Sequence, residues 1–296
     1  MKAIILGSDR GVRHLDSAQS YPLALVADGS GSRVLDWILS ALAKADLDDV
    51  AFVGGYHIEK MIHLYPGMRF YYNPDWQEAN DLQALAYASS ELDDSCVILR
   101  SDIVFRPDVV RSLLDVDADV VIGTHKGVPP SIDLLSHGFA GLVALSSSAS
   151  ARLREEVETW SRDAVSETAP EFIRVLMELG LSKLFFDVGN DWARIESPQS
   201  LSHFVFGTKA QTLERLQPVI MQATILDQTR FSAAEWDENA QRVMDRVISE
   251  MPAGELVVRS SAFSEDTWSE SNAGKFHSEL GVDANDPVAL RTAIDA

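Results

Sequence analysis

Apolar runs alternate with helix-like patterns along the first two-thirds of the chain. A helix predicted at 32–44 has its apolar residues spaced so that they form one buried stripe, namely Val34, Leu35, Ile38, Leu39 and Leu42. Further helices are predicted at 57–64, 81–89, after Pro107, at 148–160, at 169–179 and after Pro198. Strands are predicted at 2–6, 50–54, 69–72, 96–99, 119–123, 139–145 and 183–188. This alternation is typical of a Rossmann-like α/β fold with a mostly parallel sheet.

The pattern changes near residue 204. The remaining chain predicts helices at 209–216 and 235–251 and a strand at 255–258 that leads into Arg259. We therefore divide the chain into an α/β domain at 1–204 and a smaller α+β segment at 205–296. A chain of 296 residues is long enough to give each part its own core.

Charge and hydropathy exclude several classes of partner. The formal net charge is −20, and no Lys/Arg-rich stripe offsets it, which argues against nucleic-acid binding. No apolar run approaches the ~20 residues that span a bilayer, and the first residues lack the pattern of a signal peptide. We expect a cytoplasmic protein with no membrane partner. The lone Cys96 and the scattered histidines argue against a disulfide and a zinc site.

Two segments of the first domain carry candidate chemistry. The first strand runs into a polar loop with alternating glycines and arginines, and this composition suits a polyphosphate at the carboxyl edge of a parallel sheet. The candidate nucleotide-binding residues there are Gly7, Arg10, Gly11 and Arg13. Asp102 follows the apolar run 96–99, so we expect its carboxylate at the same edge of the sheet.

An ordered set of motifs resembles the nucleotidyltransferase superfamily that makes NDP-sugars and CDP-alcohols, especially its phosphocholine and phosphonate cytidylyltransferase-like branch. The resemblance spans 1–204. Its motifs are Pro22-Leu23-Ala24-Leu25, Val53-Gly54-Gly55-Tyr56, Tyr72-Asn73-Pro74, Asn80, Ile98-Leu99-Arg100-Ser101-Asp102 and Trp192-Ala193-Arg194-Ile195-Glu196-Ser197-Pro198.

The resemblance implies an in-line attack of a small phosphorylated or phosphonate acceptor on the α-phosphorus of an NTP such as CTP, with release of pyrophosphate. Asp102 and Glu196 would hold Mg²⁺, with Asp187 and Asp191 as alternatives to Glu196. Arg13, with Arg10, would neutralise the pyrophosphate. Lys126 either meets the acceptor phosphate or is a solvated lysine, and Asn80 either lies near the nucleotide or caps a helix.

Three positions depart from the family pattern. Asp9 stands where a glycine is usual, Leu23 where a lysine follows the proline, and Glu196 where the late metal ligand is an aspartate. Losing one phosphate-binding charge costs on the order of a hundredfold in rate. We therefore expect either a working Mg²⁺-dependent enzyme or a catalytically degenerate module that binds nucleotide. The aromatic residues at positions 71, 72 and 76 either cage a quaternary ammonium or anchor the core.

The last ninety or so residues carry a second resemblance. Gly207-Thr208-Lys209-Ala210 with Leu213, Arg259-Ser260-Ser261-Ala262, Glu265-Asp266 and Ala273-Gly274 resemble the ATP-binding N-terminal domain of the phosphoenolpyruvate synthase and pyruvate phosphate dikinase family. The resemblance implies a partial, ATP-grasp-like domain in which Lys209 and Arg259 contact ATP phosphates. It lacks the rest of that family's machinery, so we expect no phosphotransfer from this segment alone. Downstream phosphotransferase domains of a longer parent protein would complete it.

Overall fold

A computed structural model describes residues 1–7, 21–77, 80–125, 138–159, 170–217, 220–251, 254–260 and 278–296. The chain divides into two compact units, Met1–Phe204 and Val205–Ala296. None of the helices in these ranges is both long and apolar enough to cross a membrane.

The first unit is built on strands with helices between them. The strands are β1 (Lys2–Gly7), β2 (Val50–Gly54), β3 (Arg69–Tyr72), β4 (Cys96–Arg100), β5 (Ile103–Phe105), β6 (Val120–Thr124), β7 (Phe139–Leu145), β8 (Lys183–Asp187) and β9 (Trp192–Arg194). The helices are α1 (Val34–Lys44), α2 (Ile58–Leu64), α3 (Asp81–Ala86), α4 (Pro107–Leu114), α5 (Ser147–Thr159), α6 (Pro170–Glu178) and α7 (Pro198–Phe206), the last of which ends two residues beyond the unit.

Seven strands form one sheet in the order β3-β2-β1-β4-β7-β6-β8. Strands β1, β2, β3 and β4 are parallel, whereas β7 runs antiparallel to both of its neighbours. The prediction of a mostly parallel α/β sheet is therefore confirmed. The sheet interior is apolar along whole strands, as in β1, where 3–6 are buried, because helices cover both faces of such a sheet.

The order in which the chain adds strands to the sheet reverses at β1. It adds β2 and then β3 on one side of β1, and it returns to place β4 on the other side. A crevice opens at such a switch point, outside the carboxyl ends of the two strands, and ligands of open α/β sheets bind there. In this protein the strand order predicts such a crevice where β1 ends at Gly7 and β4 ends at Arg100.

A set of ion pairs, which we call the amino-end cluster, lies at the opposite end of the same strands. Its centre is Glu91, whose side chain is only 5% exposed. Its carboxylate accepts hydrogen bonds from Arg69 (Nε–Oε1 2.7 Å), from Lys2 (Nζ–Oε2 3.0 Å) and from the hydroxyl of Tyr71 (2.5 Å). Chiefly because of the Arg69 guanidinium, the pKa of Glu91 is lowered to about 2.

The second unit has a small core of its own. Helices α8 (Lys209–Leu216), α9 (Ala233–Glu250) and α10 (Pro287–Asp295) accompany an antiparallel pair, β10 (Glu255–Arg259) and β11 (Ser278–Asp283). The core residues come from α9, β11 and α10, namely Val243, Met244, Val247, Val282 and Leu290. A two-stranded sheet needs such a cover to be stable.

The sequence pattern missed four elements that the structure contains. Strands β5 and β9 have three residues each, too few for an alternating pattern to be visible. Strand β11 contains Gly281 at φ +69° and pairs with β10 through an irregular register, and α10 has only nine residues. The predicted helices and strands of the first domain otherwise lie within a few residues of the observed ones.

Candidate active site

The carboxyl ends of β1 and β4 lie side by side, because the two strands pair in parallel. The Ser101 amide donates to the Leu6 carbonyl at 2.9 Å, so the segment that follows β4 stays beside the end of β1. Gly7 is required there for packing, because a Cβ at this position would lie 2.3 Å from the ring of Phe52. The structure thus explains Gly7 by a close approach, and its predicted contact with nucleotide stays a prediction.

Asp102 is the centre of the candidate site, and two arginines bind it. Its side chain is 1% exposed. Arg100 donates from Nε to Oδ1 at 2.9 Å and from a terminal nitrogen to Oδ2 at 3.1 Å, and Arg194 donates from Nε to Oδ2 at 3.0 Å. A buried carboxylate is expensive to desolvate unless it is paired in this way.

Arg100 connects Asp102 to a second carboxylate, that of Asp81. Arg100 also donates to the Asp81 carboxylate, with its nearer oxygen at 3.1 Å, so all three guanidinium nitrogens of Arg100 bind carboxylates. We call Asp81, Arg100, Asp102 and Arg194 the carboxyl-end cluster; its formal charges sum to zero. Asp81 is the first residue of α3, where a carboxylate also favours the helix dipole.

Gly141 makes room for the stem of Arg100. It has φ +74°, and a Cβ there would lie 2.8 Å from Ile103 and 3.3 Å from the Cδ atom of Arg100. The left-handed conformation is strained for any residue with a side chain. Glycine in β7 therefore leaves space for Ile103 and for the aliphatic part of Arg100 on the adjoining strand.

The small β5–β9 sheet carries Arg194 to Asp102 from 92 residues away. Arg194 lies opposite Ile103 in this antiparallel pair, and the amide of Ile195 donates to the carbonyl of Asp102 at 2.7 Å. Trp192, at the other end of β9, stacks on His125 with ring centroids 4.8 Å apart. The strand pairing and the Ile195 hydrogen bond hold β9 against the segment that follows β4, and the stacking of Trp192 connects β9 to the end of β6.

The predicted metal ligands are close along the backbone, but their side chains differ in surroundings. Asp102 is buried with both oxygens taken by guanidinium groups, whereas Glu196 is exposed. In the ranges that the structure describes, no three His, Cys, Asp or Glu side chains are grouped to hold a metal ion. Both Asp102 oxygens accept hydrogen bonds from guanidinium groups, so a cation at this carboxylate would compete with Arg100 and Arg194. Mg²⁺ binding at Asp102 and Glu196 stays a prediction.

Asn80 caps α3. Its side-chain oxygen accepts from the Gln83 amide at 2.9 Å, and the Gln83 side chain accepts from the Asn80 amide at 2.9 Å. The cap leaves the Nδ2 atom of Asn80 buried without a hydrogen-bond partner, as is Nδ2 of the fully buried Asn73, and the predicted place of Asn80 near the nucleotide stays a prediction. Such groups cost free energy until an acceptor satisfies them.

Several predicted site residues lie outside the described residues, namely Asp9, Arg10, Gly11, Arg13 and Lys126. Lys209 and Arg259 belong to the second unit. Lys209 is the first residue of α8, which Thr208 caps through a hydrogen bond from the Gln211 amide, and Arg259 is the last residue of β10. Their predicted contacts with ATP stay predictions.

The three aromatic residues proposed as a cage make different contacts. The Tyr71 hydroxyl donates to Glu91 in the amino-end cluster, whereas Tyr72 is 60% exposed. Neighbouring residues of a strand point to opposite faces, so these two rings cannot close on one ligand. The ring of Trp76 packs against Tyr56 at a centroid distance of 4.9 Å. These contacts favour the interpretation of the rings as packing anchors.

The whole first unit and part of the second match one protein-family model. Residues 3–251 match the model described as MobA-like NTP transferase domain. The chain belongs to this family. The matched region includes the two ends of the switch-point crevice and the four residues of the carboxyl-end cluster, and it extends past Phe204 through α8 and α9. The nucleotidyltransferase resemblance of the first domain is thereby confirmed at the level of the family.

Two curated relatives of this NTP transferase chain carry cytidylyl names. It is 31% identical over 121 residues to CMP-5'-(3-aminopropyl)phosphonate synthase of Streptomyces rubellomurinus, covering 38% of this chain and 19% of the relative. It is 24% identical over 135 residues to CTP:phosphoglutamine cytidylyltransferase of Campylobacter jejuni, covering 43% of this chain and 53% of the relative. The matches thus span about a fifth and about half of these relatives.

Solved structures of nucleotidyltransferases share the fold. A putative glucose-1-phosphate thymidylyltransferase from Bacillus anthracis superposes with a TM-score of 0.53 at 14% identity, covering 72% of this chain and 95% of that one. The inositol-1-phosphate CTP transferase from T. maritima superposes with a TM-score of 0.52 at 12% identity, covering 74% and 97%. At these identities the likeness concerns the fold alone.

Arg100 and Arg194 lie inside motifs that are visible in the sequence, but neither was assigned a role from the sequence. Their importance depends on pairing across 92 residues, which a single sequence does not display. One signal was available, because a chain with a formal charge of −20 has few cations, and two of them lie in the motifs that supply Asp102 and Glu196.

Proposed function

We propose that this protein is a cytidylyltransferase that transfers CMP from CTP to a small phosphonate or phosphorylated acceptor, with release of pyrophosphate. The observation that carries the proposal is the carboxyl-end cluster in the crevice between β1 and β4, the position at which an open α/β sheet binds its ligand. Cytidine is favoured over other bases because the names of both curated relatives contain a cytidine nucleotide, CMP in one and CTP in the other.

The proposed chemistry needs positioning and charge neutralisation rather than a covalent nucleophile. An oxygen of the acceptor attacks the α-phosphorus of the nucleotide, and the bond from that phosphorus to the pyrophosphate oxygen breaks. Negative charge accumulates on the phosphoryl oxygens and on the pyrophosphate. Arg194 of the carboxyl-end cluster, together with Arg10 and Arg13, supplies the cations that we assign to this charge.

We keep Mg²⁺ as a separate part of the proposal, with Asp102 and Glu196 as its predicted ligands. When bound, the ion would withdraw charge from the α-phosphate. Because guanidinium groups occupy both Asp102 oxygens, we expect the protein without nucleotide to bind divalent cations weakly. Calorimetric titration with Mn²⁺ alone measures this, and loss of pyrophosphate release on chelation with EDTA tests the requirement itself.

Pyrophosphate release is the experiment that tests the function. The protein is incubated with each NTP and with a panel of acceptors comprising 3-aminopropylphosphonate, 2-aminoethylphosphonate, phosphoglutamine, phosphocholine and sugar 1-phosphates. We expect release with CTP and one phosphonate or phosphate acceptor. Release with another NTP only would overturn the choice of base, and no release with any pair would overturn the enzyme proposal.

The rival proposal is a degenerate module that binds nucleotide without turnover, attached to a phosphoenolpyruvate synthase-like phosphotransferase. The departures at Asp9, Leu23 and Glu196 favour it. It predicts CTP binding by calorimetry with no pyrophosphate release. A separate proposal is that 205–296 is the start of an ATP-binding domain, and Lys209→Ala and Arg259→Ala variants tested for weaker ATP binding examine it.

A further inference from the structure

Two arginines bind Asp102, and they differ in how many of their guanidinium nitrogens already donate hydrogen bonds. Arg100 is 20% exposed at its side chain, and each of its three nitrogens donates to a carboxylate. Arg194 is 56% exposed, and only its Nε atom donates, to Asp102. A guanidinium carries five N–H donors, so the four on the terminal nitrogens of Arg194 are left for another acceptor.

The pairing with Asp102 restricts the orientation of the Arg194 guanidinium. Its Nε edge is bound to a carboxylate that is 1% exposed, and its backbone is fixed by the β5–β9 pair and by the hydrogen bond from Ile195 to Asp102. A planar group held along one edge presents its opposite edge in a defined direction. That edge is the fork that binds two oxygens of a phosphate or phosphonate at once.

An exposed arginine is ordinarily a solvated one, and Arg154 on α5 shows that case. It pairs with Glu158 one helical turn away, with both side chains about half exposed, an interaction that contributes little. Asp102 in contrast is desolvated and holds both Arg100 and Arg194, an arrangement that stability alone does not require, because replacing buried ion pairs by apolar residues is often neutral or stabilising. The cost is explained if the held guanidinium binds a ligand.

We propose that Arg194 binds the phosphate or phosphonate group of a substrate, with Asp102 as the positioning residue that orients its guanidinium. This inference rests on the proposed function for the identity of its ligands. The shared chemistry is a tetrahedral, anionic phosphorus group with oxygens free to accept hydrogen bonds. It comes either from the triphosphate of CTP or from the acceptor.

The experiment measures binding of each source alone by calorimetry, with CTP in one arm and 3-aminopropylphosphonate in the other. The variants are Arg194→Gln and Arg194→Lys, and the matched control is Arg154→Gln, an exposed arginine outside the cluster. Loss of a bidentate charged contact predicts a dissociation constant raised about tenfold or more for one ligand in Arg194→Gln. The lysine variant is expected to recover part of the loss, and Arg154→Gln to change neither constant.

The ligand whose binding is weakened is the substrate that Arg194 contacts. Unchanged binding of both ligands in a folded Arg194→Gln protein would overturn the proposal, as would a wild-type protein that binds neither. Circular dichroism and thermal unfolding establish the folded state. The experiment measures binding, so its outcome is distinguishable from that of the test for turnover. Weakened binding without pyrophosphate release supports the proposed role of Arg194 and contradicts the proposal that the protein is an enzyme.

Discussion

Two clusters of arginines and carboxylates lie at opposite ends of the same parallel strands, and they are built differently. In the amino-end cluster, the Glu91 carboxylate accepts from Arg69, Lys2 and Tyr71. In the carboxyl-end cluster, Asp102 is as deeply buried, yet one of its two arginines keeps an exposed terminal edge. The first arrangement fits a purely structural role, whereas the second has donors left for a ligand.

The difference follows from the topology. The strand order places a switch point beside β1, and a crevice is expected there at the carboxyl ends of the strands but not at their amino ends. Similar side chains therefore serve stability at one end and, as we propose, substrate binding at the other. Substitutions at the two ends separate these roles.

The largest expected effect is that of Asp102→Asn on turnover. The amide keeps the shape but removes the charge that orients Arg100 and Arg194, so we expect kcat/KM to fall by about a hundredfold or more, or roughly 3 kcal/mol. Steady-state pyrophosphate release, normalised to folded protein, measures it. Asp108→Asn, on the exposed first turn of α4, is the control. Full activity in folded Asp102→Asn would remove the functional half of the comparison.

Glu91→Gln is expected to lower stability without lowering activity. Removing the buried charge leaves Arg69 and Lys2 without their shared partner, which we expect to cost about 3 kcal/mol of unfolding free energy. Urea unfolding measures it. The matched variant Asp93→Asn removes an exposed carboxylate that also pairs with Lys2, and we expect a much smaller effect. A loss of kcat/KM in folded Glu91→Gln would show that the two ends are coupled.

Acid should remove the stabilisation by Glu91 selectively. Its pKa is lowered in the folded protein from an ordinary value of 4.5 to about 2, so the unfolded chain takes up this proton first as the pH falls. The stabilisation is complete above pH 4.5 and is lost progressively between about 4.5 and 2. The difference in unfolding free energy between wild type and Glu91→Gln should therefore shrink across this range. A constant difference would contradict the assignment.

The smallest expected effect is a gain at the carboxyl end. Leu23→Lys restores the cation that the family pattern places after the proline, and we expect kcat/KM to rise by about tenfold. Leu25→Lys, in the same short turn, is the control and should give no gain. A fall in activity with Leu23→Lys would indicate that the site has been rebuilt around leucine.

The sequence was sufficient for the sheet and for one member of the carboxyl-end cluster. Apolar runs identified the strands because parallel strands are buried on both faces, and Asp102 stood out as a carboxylate directly after such a run. Arg194 did not stand out, since its strand β9 has three residues and its partner is 92 residues away. The cap at Asn80 was one of two interpretations that the sequence offered, and residue type alone suggested it because capping depends on local sequence.

The close packing around Gly141 determines what a substitution at this position would affect. Because its missing Cβ leaves space for the Ile103 side chain and for the Arg100 stem, an alanine there would press on Ile103 first and on Arg100 next. Part of the damage would then reach a charged group, although the substituted position bears none. An inventory of ionisable residues would overlook such a position.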